Sequence, residues 1–387
     1  MAAQLLLLLP LLFFYLSSAA QLYNIADYGA KPDGTQDSAS QLTIAWTKAC
    51  FSTVPATLLI PPGKFFVSQA LLQGPCRNNN ILIEIKGIVF APSSYTSNEQ
   101  WIIFKRVNGL TISGGLLDGQ GQALWSCKNS NNKCPEGATS LSIAYSNNVW
   151  IDRVSSVNSE QFHITIYKSS NVKVTRAIIS APFDSPNTDG IHIEESSNVE
   201  VKGCRIGTGD DCISMGPGDN NVWIENIRCG PGHGISIGSL GSSSKQDGVK
   251  NVTVKNVQFI GTQNGLRIKT WAKPSNGFAQ QILFQNATME NVKNPIIIDQ
   301  NYCPNQQDCP YQSSGVQISD VTFRDVVGLS ATNTAVKLDC SKSKPCEGIM
   351  LQNINLGYDG SSEAEMICSN VHGGSSGVVI PPCCISK

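Results

Sequence analysis

A five-residue pattern recurs through the middle of the chain and limits the possible folds more than any other feature. It reads Asn148-Val-Trp-Ile-Asp, Asn171-Val-Lys-Val-Thr, Asn198-Val-Glu-Val-Lys, Asn221-Val-Trp-Ile-Glu and Asn251-Val-Thr-Val-Lys, with steps of 23, 27, 23 and 30 residues. A second short segment follows in each unit: His163-Ile-Thr-Ile, Gly190-Ile-His-Ile, Cys212-Ile-Ser-Met, Gly234-Ile-Ser-Ile and Gly265-Leu-Arg-Ile. Alternation with period two marks strands, and the Gly, Asn, Ser and Asp between them mark turns. A propeller blade needs about 40 to 45 residues and four strands, so the repeat fits instead an all-β solenoid with one coil per repeat. Matching strands of successive coils then build parallel sheets. Unequal steps become insertions at turns, and the recurring asparagines can bond coil to coil as a ladder.

A solenoid exposes an apolar core and sheet edges at its ends, so terminal caps are expected. The one clear helical candidate lies between Asp37, read as N-cap, and Cys50, with Ala39, Leu42, Ala45, Trp46 and Ala49 at helical spacing. It is placed as the N-terminal cap.

Charge and cysteine content narrow the class. Lys and Arg total 28 against 29 Asp and Glu, a net charge of -1, which excludes nucleic-acid binding through a bulk positive field. Beyond the N-terminus no apolar run is long enough to span a membrane. Leu5 to Leu16 followed by Ser17-Ser18-Ala19-Ala20 reads as a signal peptide over residues 1–20, although no Lys or Arg precedes the run. Residues 21–387 then form a single secreted domain, expected as a monomer. Fourteen cysteines suit an oxidising compartment, and with no Cys-x-x-Cys pair or nearby His they are read as structural disulfides of open pairing. No metal or cofactor is expected. Asn251 (with Thr253) and Asn286 (with Thr288) are glycosylation sequons and mark surface positions.

Chemistry concentrates at the entry to the second strands. Aligned on Ile191, Ile213, Ile235 and Leu266, the position two residues earlier reads Asp189, Asp211, His233 and Asn264, with Asp210 beside Asp211. Strict alternation would bury this column inside the solenoid, which unpaired carboxylates do not tolerate. Gly190, Gly234 and Gly265 therefore imply a bend that turns the column outward. Arg267 and Lys269 share the outward face, in the same column as His192, Ser214 and Ser236. Three carboxylates, a histidine and two cations on one solvent-facing sheet suit acid/base chemistry on a polar substrate, as in inverting glycoside hydrolysis. Competing readings are an acidic turn or Ca²⁺ site at Asp210 and Asp211, a structural His233, and a solvated face at Arg267 and Lys269.

Asn187-Thr-Asp-Gly190, Gly209-Asp-Asp-Cys212, Gly232-His-Gly234 and Arg267-Ile-Lys269, in that order, resemble the polygalacturonases, pectin-hydrolysing glycosidases on a right-handed parallel β-helix. The stretches around Ser185, Cys229 and Ile298-Asp-Gln-Asn-Tyr-Cys303 resemble the plant branch, and Tyr28 to Gly34 resembles its N-terminal entry motif. The resemblance implies Asp210 as general acid, Asp189 and Asp211 as activators of water, and His233 as tuner of the acid's proton. It implies Arg267, Lys269, Asn187 and Tyr302 as substrate-binding residues, with Tyr302 equally readable as a packing residue. The implied substrate is homogalacturonan, the de-esterified part of pectin, in the plant cell wall. Two alternatives stand beside it: a Ca²⁺-dependent pectate lyase on the same fold, and a non-enzymatic pectin-binding wall protein.

Overall fold

A computed structural model describes residues 20–94, 99–130, 133–304, 309–358 and 363–385. The signal-peptide segment thus lies, but for Ala20, outside the described residues. Period-two segments become strands, and among the described residues they form two parallel sheets of 20 and 11 strands around one apolar interior. The chain is a parallel β-helix. One coil runs through Ile164–Tyr167 in the smaller sheet, then Ser170–Thr175 and Ile178–Ser180 in the larger. The next repeats it as Ile191–Glu194, Ser197–Lys202 and Arg205–Gly207. A two-residue turn links the sheets on one side. On the other side the connection lengthens into the loop over residues 181–190.

The repeat fixes the register. Val149, Val172, Val199, Val222, Val252 and Ile282 pair in one column of the larger sheet. Ile164, Ile191, Ile213, Ile235, Leu266 and Ile296 pair in one column of the smaller. None of these side chains is more than 2% exposed, and each contributes about 1.5–3 kcal/mol by leaving water. Slipping one coil by a residue would turn its whole apolar set outward.

The asparagine ladder is present. Nδ2 of Asn148, Asn171, Asn198, Asn221 and Asn251 donates to Oδ1 of Asn108, Asn147, Asn171, Asn198 and Asn221 respectively. Each of the five has a left-handed backbone, with φ from 54° to 59°, a conformation asparagine tolerates better than other side chains. A shorter ladder joins Asn286 to Asn256 and Asn256 to Asn226. Both sequon asparagines are exposed rungs.

The helix Ala39–Phe51 covers the first coils, burying Leu42, Ala45, Trp46, Ala49 and Cys50. Its N-cap position is Ser38, one residue later than expected. Asp37 still closes the end, accepting from Ala39 N–H and from the backbone and hydroxyl of Ser68. Trp46 Nε1 donates to Gln73 O, and Cys50 is disulfide-bonded to Cys76. Five more disulfides join Cys127–Cys134, Cys212–Cys229, Cys303–Cys309, Cys340–Cys346 and Cys368–Cys384. Cys204 and Cys383 remain thiols, so the disulfide reading holds for twelve of the fourteen. Cys204 faces the core, where burial pushes its thiol up to about 11.

Candidate active site

The expected column forms on the outer face of the smaller sheet. Asp189 ends the loop that enters Ile191–Glu194, Asp210 and Asp211 precede Ile213–Met215, and His233 precedes Ile235–Leu240. Two features hold these entry loops together. Thr188 Oγ1 accepts from Gly209 N–H and bonds Ser185, tying the Asp189 loop to the Asp210 loop. Gly209 packs so closely that an added Cβ would stand 2.0 Å from Ser185 O. At Gly234, left-handed with φ 93°, a Cβ would stand 2.2 Å from Asn264 O. The glycines permit the close approach as well as the bend.

The bend does turn the acids outward, but not into open solvent. Asp189 is 7% exposed and Asp211 0%. Burial is tolerated because the groups are bonded. Asp211 Oδ1 accepts from Ser236 Oγ at 2.8 Å and Arg267 Nη2 at 2.6 Å, and its Oδ2 accepts from Lys269 Nζ at 2.9 Å. Burial alone would raise this carboxyl, yet Arg267 and Lys269 hold it down at about 2. Arg267 and Lys269 are accordingly 8% and 7% exposed, clamped to Asp211 and not free on a solvated face. Burial, then Asp210 and Asp211, push Asp189 well above the usual carboxylate range, with Ser214 Oγ donating to its Oδ2 at 2.6 Å.

Asp210 is the open member of the trio. Its side chain is 20% exposed, and its Oδ1 lies 3.0 Å from His233 Nδ1 and accepts from Asp211 N–H at 2.8 Å. His233 is held by its own N–H to Asp210 O, and its carbonyl accepts from Asn264 Nδ2. Donor atoms of Asp210, Asp211 and His233 lie within 4.8 Å of one another. The set is poor for a cation, since both Asp211 oxygens already carry the two positive charges of Arg267 and Lys269.

An open cleft of 1130 Å³ lies over these residues and runs toward the C-terminal coils. Asn187, left-handed with φ 57°, is exposed on its rim. The Tyr302 ring packs edge-on against Trp271 and sits 5.2 Å from Lys269 Nζ, and the residue also lines the cleft. Sequence reasoning missed Asp299, Lys337 and Asp339, which line the same cleft from coils lacking the Asn-Val signature. Their signal was register: Asp299 pairs with Lys269, and Asp339 with Asp299. A second recess of 330 Å³ continues along the sheet on the other side, past Phe162, Tyr167, His192 and Glu194.

A family model described as glycosyl hydrolases family 28 matches residues 50–380. A polygalacturonase of Prunus persica is 51% identical over 97% of this chain and 98% of its own, and an exopolygalacturonase of Platanus acerifolia is 40% identical over 94% and 98%. Among solved structures, a polygalacturonase of Erwinia carotovora superposes with TM-score 0.74 at 23% identity, covering 92% of this chain and 97% of its own. That last likeness bears on the fold alone.

Proposed function

Because the chain belongs to glycosyl hydrolases family 28, we propose that it hydrolyses the α-1,4 links of homogalacturonan, with inversion, using Asp189, Asp210, Asp211 and His233. The observation that carries the reading is one site in which Asp211 stays ionised between Arg267 and Lys269 while Asp189 and Asp210 sit beside it with unlike surroundings. Environments that drive neighbouring carboxyls apart separate acid from base.

Asp210 faces the cleft and gives its proton to the glycosidic oxygen as the C1–O bond breaks. A water attacks C1 from the opposite face and passes a proton to the Asp189 carboxylate, with Asp211 steadying the water. Two sugar chains leave, one with C1 inverted as a new reducing end and the other as the alcohol protonated by Asp210, and Asp189 returns its proton to solvent as Asp210 regains one beside His233. Burial and the two neighbouring acids favour the proton on Asp189, so the step needs this carboxyl to be held ionised against its surroundings. Arg267 and Lys269 attract the substrate's carboxylates, and Tyr302 supplies an apolar face. The six disulfides suit an extracellular site of action, the plant wall, after removal of residues 1–20. Asn251 and Asn286 carry glycans in this proposal, each keeping one amide proton for its ladder bond.

The test is Asp210→Asn assayed for new reducing ends on polygalacturonate. Turnover falls by about a hundredfold or more while binding of oligogalacturonate persists. Wild-type turnover in this variant removes the proposed acid. Unsaturated uronide products that vanish with chelator point to a lyase, and binding without any reducing ends points to a wall-binding protein.

A further inference from the structure

One more chain of hydrogen bonds enters the site from the N-terminal side. His192 Nδ1 lies 2.8 Å from Ser214 Oγ, and Ser214 Oγ lies 2.6 Å from Asp189 Oδ2. His192 and Ser214 are register partners on adjacent coils, and Ser214 is 2% exposed. The imidazole is fixed on its other sides as well. Phe162 stacks on it with ring centroids 4.8 Å apart and planes 28° apart, and Glu194 Oε2 lies 3.6 Å from Nε2.

A serine hydroxyl has a single proton to give. When Ser214 gives it to Asp189, its oxygen can only accept from the imidazole, so His192 Nδ1 must carry a proton. In the opposite polarity a protonated Asp189 donates to Ser214, and Ser214 to a bare Nδ1. The first polarity accompanies an ionised Asp189 and the second a neutral one. We propose that His192 is a positioning residue that acts through Ser214 to keep Asp189 ionised and aimed at the attacking water. The inference rests on the reading of Asp189 as the water-activating base.

The surroundings make such help necessary. Asp210 and Asp211 face Asp189 from the next coil and oppose its ionisation, and Lys269 favours it. Arg267 is bonded to Asp211, and His233 to Asp210, so neither is bonded to Asp189. On the His192 side the ionisable groups lining the recess are Glu99, Lys105, Glu136, Tyr145, Tyr167 and Glu194. Glu194 Oε2, 3.6 Å from Nε2, faces the ring on the side away from Ser214.

Three variants and their pH profiles on polygalacturonate test the chain. His192→Phe keeps a ring to stack on Phe162 and removes the donor. Ser214→Ala breaks the second link, and His192→Asn returns an N–H near the Nδ1 position. Both His192→Phe and Ser214→Ala should lower kcat about tenfold with KM within about twofold, and should move the acid limb of kcat/KM up by about one pH unit. The double variant should be no worse than either single one, and His192→Asn should recover most of the loss. An acid limb unchanged in both singles, or losses that simply add, would overturn the relay even if Asp189→Asn is inactive. Full activity in Asp189→Asn would instead overturn the assignment beneath it.

Discussion

Replacing Asp211 by Asn tests whether the floor of the cleft is held by charge. The side chain is buried and satisfies Ser236, Arg267 and Lys269 together, while the two cations are themselves buried. An amide has one accepting oxygen, so its NH₂ end would face Arg267 or Lys269, leaving a buried positive charge without a counter-charge. Breaking a buried pair in this way costs about 3–5 kcal/mol. A second route gives a similar scale: a carboxyl taken from 3.8 to about 2 represents about 2–3 kcal/mol. At about 2.1 cal/mol/K per residue, a domain of residues 21–387 unfolds with about 0.8 kcal/mol/K, so Asp211→Asn should lower Tm by about 4–6 °C at pH 7. Asp210→Asn, more exposed and bonded to neither cation, is the control and should stay within about 1 °C. Since the folded carboxyl is depressed, its contribution is complete above pH 4 and is lost as pH falls toward 2. The gap between wild type and Asp211→Asn should therefore narrow over that interval in thermal unfolding followed by calorimetry. A variant that melts with the wild type at pH 7, or a gap that does not change with pH, refutes the reasoning.

Arg267→Ala should raise KM for oligogalacturonates more than it lowers kcat, and should cost stability by freeing Asp211; unchanged affinity measured by calorimetric titration contradicts its binding role. Burial raises Asp189, so kcat/KM should fall on the acid side at a pH clearly above the ordinary carboxylate range; a limb at pH 4 or below contradicts this. Cys204, buried and with its thiol pushed up to about 11, should resist iodoacetamide in the native protein while the partly exposed Cys383 reacts, as peptide mass mapping would report. Trp46→Ala, which empties the cap, should destabilise by about 3–5 kcal/mol in denaturant titration; an unchanged midpoint would mean that the helix does not seal the first coils.

The site was legible wherever the repeat was legible. The Asn-Val pattern aligned Ile191, Ile213 and Ile235, and that alignment alone put Asp189, Asp211 and His233 in one column. Gly190 and Gly234 announced the bend. Pairing between Asp211 and Lys269, 58 residues apart, was not readable, because alternation gives the face of a side chain and not the direction in which it leans along the sheet. For the same reason Asp189 and Asp211 read as solvent-facing when they are buried. Asp299, Lys337 and Asp339 were lost because their coils lack the turn asparagine that made the others countable. The thiol of Cys204 escaped because a buried Cys in an apolar column behaves as a small hydrophobe, and an even total invites pairing.

Since the cleft floor is the outer face of a stack, its length is counted in whole coils. Neighbouring strands lie about 4.8 Å apart, and His192, Ser214, Ser236 and Arg267 succeed one another at that interval along the register. A polymer laid along the stack meets the protein in discrete steps. Extending the bed takes a complete turn of chain, yet turns differ in length: 22 residues separate His192 from Ser214, and 31 separate Ser236 from Arg267. The longer turn places its additional residues between Leu240 and Val249, where the chain crosses from the smaller sheet to the larger. Bed length and turn length are therefore separate variables, and a turn can lengthen without moving the rungs that carry the chemistry.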